Sequence, residues 1–248
     1  MTIHRKLTLA ASLVCAFASA LAQADTLLRY GVVPSGAFSP VTAASGVTGI
    51  SVGQTGIGLT AAGSTSQRTF SLDNDDLTAW PTTAGAARSG GSFIDLVTYD
   101  STSNSTFDSL SLSLLRPAGD TATLSYALDY KIGASSFVTA TGGLIQTMAS
   151  TVTTPTPVVF DLSGITDFDM ISAGTDVLFR LVVFSGTASD ATSDFIFRNN
   201  STLGVNVDVN AAFVLEGTLS AVPEPSTYAM FGSMIALGVA VYYRRKSC

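Results

Sequence analysis

The chain has 248 residues, 46% of them hydrophobic and 12% charged, with one His, two Cys and one Trp. That apolar content excludes a disordered chain. Between residues 25 and 222 seven basic residues stand against seventeen acidic ones, a formal charge of −10 that repels phosphate backbones and excludes a nucleic-acid partner.

At the N-terminus, Arg5 and Lys6 precede an apolar run over 7–17 and then small residues, the three-part pattern of a secretory signal over 1–24. Ala22-Gln23-Ala24 fits an A-x-A cleavage site that leaves Asp25 first, and Ala20-Leu21-Ala22 is a second fit two residues earlier. The run is too short for a permanent membrane helix, so the pattern predicts export through the Sec translocon. Cys15 lacks the small residue that a lipoprotein site needs before its Cys, and reads as an apolar residue of the signal.

The body, 25–221, is read as one domain long enough to bury a large core. Ser and Thr make up 62 residues of the chain and alternate with apolar ones, which predicts strands. In chain order these are 27–33, 68–72, 93–99, a run with Leu110, Leu112 and Leu114 on one face and Ser109, Ser111 and Ser113 on the other, and a run over 124–132. There Leu124, Tyr126, Leu128, Tyr130 and Ile132 alternate with Ser125, Ala127, Asp129 and Lys131. Each of these two runs is expected to have one buried and one wet face. Further strands are expected at 158–162, 177–184, 194–197 and 205–219, and no stretch offers a helical stripe. Ser35-Gly36, Gly90-Gly91, Pro117 to Asp120, Gly142-Gly143 and Ser163-Gly164 read as turns, and 152–157 as an interstrand loop. Many short strands without covering helices predict an all-β, antiparallel β-sandwich or jelly-roll ectodomain, held without disulfides.

Beyond the body, Val222-Pro223-Glu224-Pro225-Ser226-Thr227 forms a stiff extended strip, because both prolines forbid helix. The uncharged run 228–243 follows as a predicted transmembrane helix. It is closed by Arg244, Arg245 and Lys246 within the basic tail 244–248, which should keep that end cytoplasmic. An ordinary single-span anchor with a proline linker would leave the same exposed domain, but has no need of Pro-Glu-Pro against the membrane.

This tail, 222–248, resembles the PEP-CTERM sorting signal of Gram-negative bacteria that make exopolysaccharide. Pro223, Glu224 and Pro225 match its signature; Tyr228 stands where many members carry Trp, and Ser247-Cys248 extend the usual basic end. The resemblance implies an inner-membrane-anchored precursor with a periplasmic ectodomain. An exosortase, an integral-membrane cysteine protease-transpeptidase, would cut it and pass it to the cell surface or matrix. From 107 to 220 the segments FDSLSLSLLRP, YALDYKIG, VVFDLSGI, VLFRLVVFSG and FIFRNNSTLG also resemble a recurrent PEP-CTERM ectodomain, a jelly-roll similar in outline to carbohydrate-binding modules.

Removing the signal removes His4, the only His, and with it Ser-His-Asp, Cys-His and His-zinc chemistry. No Lys has a Ser three positions before it, as a Ser-Lys nucleophile requires. The stretch 58–65 has Ser64 where a P-loop has Lys, and reads as a Gly-rich loop. Glu216 and the aspartates leave only a carboxylate pair as a route to glycoside hydrolysis, and none sits in a recognisable context. Asp73, Asp75 and Asp76 beside Asn74 read as a solvated acidic turn without EF-hand spacing, so no metal is assigned. Tyr126 and Tyr130 share a face with leucines and read as core, whereas Trp80, before Pro81, is the better sugar-contact residue. The sequons Asn104-Ser105-Thr106 and Asn200-Ser201-Thr202 read as chance matches. The expected role is a non-catalytic surface or extracellular-matrix protein without a cofactor. A carbohydrate-binding module for matrix exopolysaccharide is the alternative.

Overall fold

A computed structural model describes residues 25–32, 38–55, 60–64, 69–73, 80–116, 123–139, 144–149, 152–185, 195–199, 211–220 and 234. The predicted signal with Ala22 and Ala24, the motif Pro223-Glu224-Pro225, the segment 228–243 and the cluster Arg244-Arg245-Lys246 lie outside these residues, Met234 excepted. Among the described residues no helix is long and apolar enough to cross a membrane.

The body is all-β and sandwich-like, with two antiparallel sheets. The first half of the chain supplies β1 (Asp25–Val32), β2 (Phe38–Ala43), β3 (Val47–Thr55), β4 (Thr60–Ser64), β5 (Thr69–Asp73), α1 (Ala84–Gly90), β6 (Phe93–Ser101) and β7 (Asn104–Leu115). The second half supplies β8 (Leu124–Ile132), β9 (Ile145–Met148), β10 (Thr156–Asp161), a single 3-10 turn (Thr166–Phe168), β11 (Val177–Ser185), β12 (Phe195–Arg198) and β13 (Phe213–Ser220).

One sheet runs β2-β1-β13-β7-β12-β5-β4 with β10 added on β7, and the other runs β3-β6-β11-β8-β9. Strand β7 organises the first. Leu112 pairs with Phe213 of β13 and with Val158 of β10, so those two strands flank it. Leu114 pairs with Thr156 of β10 and Phe197 of β12, so β12 continues the edge that β13 leaves.

Alternation fills the space between the sheets. Leu110, Leu112 and Leu114 of β7, Phe213 and Leu215 of β13, and Phe160 of β10 meet Leu124, Tyr126 and Leu128 of β8 and Phe179, Leu181 and Val183 of β11, all buried. Aromatic rings bridge the layers: Phe107 on β7 lies edge-on to Tyr99 on β6 at 4.8 Å and 5.8 Å from Phe179 on β11. Edge-to-face pairs of this kind add about 0.5–1.5 kcal/mol to the burial itself. Tyr126 and Tyr130 are core residues, as their shared face with leucines indicates.

Several expectations need correction. The stretch 58–65 is not simply a loop, since Thr60–Ser64 forms β4 paired with β5. Strand β10 takes in Thr156 and Pro157 from the end of the expected 152–157 loop. As an edge strand paired on one side only, it tolerates a residue without an N–H. The last strand begins at Phe213, not near 205; Ala211 and Ala212 lie outside it, and 205–210 lie outside the described residues.

A helix also exists. Thr83 caps α1 by accepting a bond from the Ala86 N–H at 3.2 Å, and Gly91 ends it with φ 74°, a left-handed conformation that favours glycine. At seven residues it is too short to show a stripe, and it buries only Ala87.

That helix explains why β8 has no wholly wet face. Ala87 packs with Ala127 and Val182 on the outer side of the second sheet, and the Arg88 guanidinium donates two bonds of 2.6 Å to Asp129. Asp129 is therefore buried as half of a bidentate pair. Beside it Arg180 donates to both oxygens of Asp95 and stacks between the rings of Phe93 and Phe137, 3.8 Å from each centroid. Ser111 and Ser113 on the outer face of the first sheet are buried as well, near Arg29 and Val214 in the register.

Candidate functional site

Three features bear on function: the place where the chain enters and leaves the fold, a group of carboxylates around β7, and a cavity at the sandwich's open side. The start of β1 and the end of β13 meet at one pole. Asp25 pairs with Gly217, and β13 runs on to Ser220 opposite Asn104. Four turns gather there, tied by bonds from the Thr102 N–H to the Gly46 carbonyl at 2.9 Å, Gly174 to Ser101 at 2.8 Å and Gly133 to Asp176 at 2.7 Å. Ala221 alone separates this pole from Val222.

Closer to the middle of the first sheet, a bulge sets the carboxylates. The register shift between Glu216 and Gly217 leaves Asp108 and Ser109 of β7 both opposite Glu216, and Asp161 pairs with Ser109 from the other side. Ser109 donates to Glu216 at 3.0 Å. Burial, then the negative charges of Glu216 and Asp161, raise the Asp108 carboxyl above its ordinary value. Glu216, Ser109 and Asp161 alternate with the core residues Leu215, Leu110 and Phe160, so the group lies on the sheet's outer face, with Asp161 at the end of edge strand β10, where it also borders the cavity. Glycoside hydrolysis needs two carboxylates flanking a bond held between them, and among the described residues the cavity described next is lined by one acid, Asp161. Among the described residues no three His, Cys, Asp or Glu residues are grouped to hold a metal.

Asp108 gives a test of these electrostatics. Its raised folded value means that the folded state binds more protons than the unfolded chain just above pH 3.8, so this group's contribution falls as pH rises through that window. Asp108→Asn should therefore raise Tm at pH 7, by the equivalent of about 0.5 kcal/mol or less for a group only partly shielded from water. The advantage should vanish near pH 3, and Tm measured across pH checks it.

The cavity, about 370 Å³, opens where the edge strands β9 and β10 come side by side. Its apolar wall is Leu144, Ile165 and the Tyr130 ring; Val138, Thr139, Asp161 and Gly164 form its exposed rim. Tyr130 is fixed from behind, its ring 4.5 Å from Phe168 and its hydroxyl donating to Asp167 at 2.9 Å. Burial first and then that carboxylate push the hydroxyl up to about 12, so Tyr130 stays a protonated donor. Asp161 is held ionised, because its Oδ1 accepts bonds from Ser163 Oγ at 2.7 Å and Ser163 N at 3.0 Å.

Residues singled out as possible contact or modification sites fall elsewhere. Trp80 is buried against Phe195, rings 6.3 Å apart, and does not offer a face to sugar. The carbonyl of Pro81 accepts a 2.8 Å bond from Ser185, drawing this segment inward. Asn104 lies in β7 and its side chain accepts from the Ala173 N–H at 3.1 Å, so this sequon is paired backbone and not a free loop. Asn200, Asp75 and Asp76 lie outside the described residues; Asp73 ends β5. Sequence reasoning missed Asp161 and Thr139, which no local motif marks. Compared with family models, with curated proteins and with solved structures, the chain matches none.

Proposed function

We propose that the chain is an exported, non-catalytic surface or extracellular-matrix protein, delivered through exosortase processing at Pro223-Glu224-Pro225 in an exopolysaccharide-producing Gram-negative bacterium. The observation that carries this reading is the ordered tail of V-P-E-P-S-T, an uncharged run over 228–243 and Arg244-Arg245-Lys246, in a chain that begins with an export pattern. In it the all-β body is the jelly-roll ectodomain, anchored first in the inner membrane with the basic tail in the cytoplasm.

Two structural facts support it. Strand β13 is paired as far as Ser220, with only Ala221 between it and Val222 in the sequence, so the folded body ends close to the motif. Asp25 is paired beside Gly217, so the points where the predicted signal and sorting tail join the body lie at the same pole.

Replacing Pro223, Glu224 and Pro225 together by alanine should convert the processed protein into an unprocessed, membrane-retained one. The measurement is fractionation of the native host with mass determination of the C-terminus. Unchanged processing would mean the tail is an ordinary anchor.

A further inference from the structure

We infer that the cavity beside Tyr130 binds a neutral hexopyranose unit. A volume of about 370 Å³ stands at the small end of the range for small-molecule sites, about 300–1,000 Å³, and suits one or two rings. A pyranose has C–H faces and a girdle of hydroxyls, and the cavity is divided in the same way. The Tyr130 ring and the aliphatic side chains of Leu144 and Ile165 offer apolar wall, with Val138 at the rim. Thr139 and Asp161, both exposed, offer polar contacts at the mouth.

Asp161 suits sugar recognition in particular. The two bonds from Ser163 both fall on Oδ1, so they fix the carboxylate without using Oδ2, which can accept from a sugar hydroxyl. A charged acceptor held in place makes the stronger kind of hydrogen bond. The same charge selects against acids: among the described residues no lining side chain is cationic, and Asp167 stands directly behind Tyr130. A phosphate or a uronic acid would meet carboxylate and no compensating cation.

Gly164 supplies the test. A Cβ built there meets no heavy atom within 4 Å, and its backbone is not left-handed, so this rim residue accepts a large side chain without strain. The full chain, purified in a zwitterionic detergent free of sugar, is titrated by NMR with glucose, galactose, mannose and cellobiose, and with glucuronate and galacturonate. At least one neutral sugar should saturate with Kd on the order of 1 mM, as expected for a dozen-atom ligand. Gly164→Leu should weaken it at least tenfold with Tm unchanged, Thr139→Val should weaken it severalfold, and the matching uronate should bind at least tenfold more weakly. Absence of saturable binding by every neutral sugar, equal binding by Gly164→Leu, or a uronate bound as tightly as its parent would each overturn the assignment. It does not rest on the sorting route, because the titration reads the purified chain whether or not the tail is processed.

Discussion

Phe107→Ala should cost about 3–5 kcal/mol, the range for deleting a buried ring and leaving its cavity. Phe107 is fully buried on β7 and touches three other rings: Tyr99 at 4.8 Å, Phe168 at 5.3 Å and Phe179 at 5.8 Å. Two of these belong to the opposite sheet and the third to the 3-10 turn, so no single element can move in to fill the space. Against a total stability of about 5–15 kcal/mol, the loss puts the variant close to unfolding. Phe107→Leu, which keeps most of the volume, should cost less than half as much. Urea unfolding followed by the fluorescence of Trp80, the only tryptophan and a buried one, measures both. The effect should also reach the cavity, since Phe168 is the support behind Tyr130.

The second large effect is expected at Gly217, where the smallest change in mass meets the least space. A Cβ there would overlap the Thr106 carbonyl oxygen and come within 2.9 Å of Leu27 Cδ1. The first neighbour is backbone in a paired strand and cannot swing aside. Gly217→Ala should therefore force β13 away from β7 beyond the bulge and break the pairs of Thr218, Leu219 and Ser220 with Thr106, Ser105 and Asn104. We expect at least the about 1–3 kcal/mol typical of overpacking. Amide exchange should localise it: protection lost over 217–220 and 104–106 while 110–114 stay protected. Uniform loss of protection, or none, would contradict the local picture.

What the sequence disclosed follows from how each element is stabilised. Strand β8 was legible to the residue because large apolar and small or polar residues alternate over its whole length. Strands β3 and β4 were not, since VTGISVGQT and TAAGS offer glycine and small residues where a face would declare itself. Alternation also says only that two faces differ. It cannot say that a short helix will cover the polar one, so Ala127 and Asp129 looked wet until α1 was seen over them. The Thr83 cap and Gly91 were visible signals for that helix. The cavity was hidden for another reason: Tyr130 and Asp161 belong to different sheets, and only the approach of two edge strands brings them to one space. Trp80 misled because position in a turn-like segment says nothing of which way an indole faces.

The burial of β13 between two partners has a mechanical meaning. A surface domain fixed through its C-terminus and gripped at the pole opposite Ser220 receives tension along the axis of β13. Its bonds to β1 and β7 run across that axis on both sides. Such a pull shears the ladders, so they must yield nearly together instead of opening one by one like a zipper. An edge strand in that place would peel. If the chain is held through its C-terminus as proposed, the load falls on a strand paired on both sides and not on an edge strand.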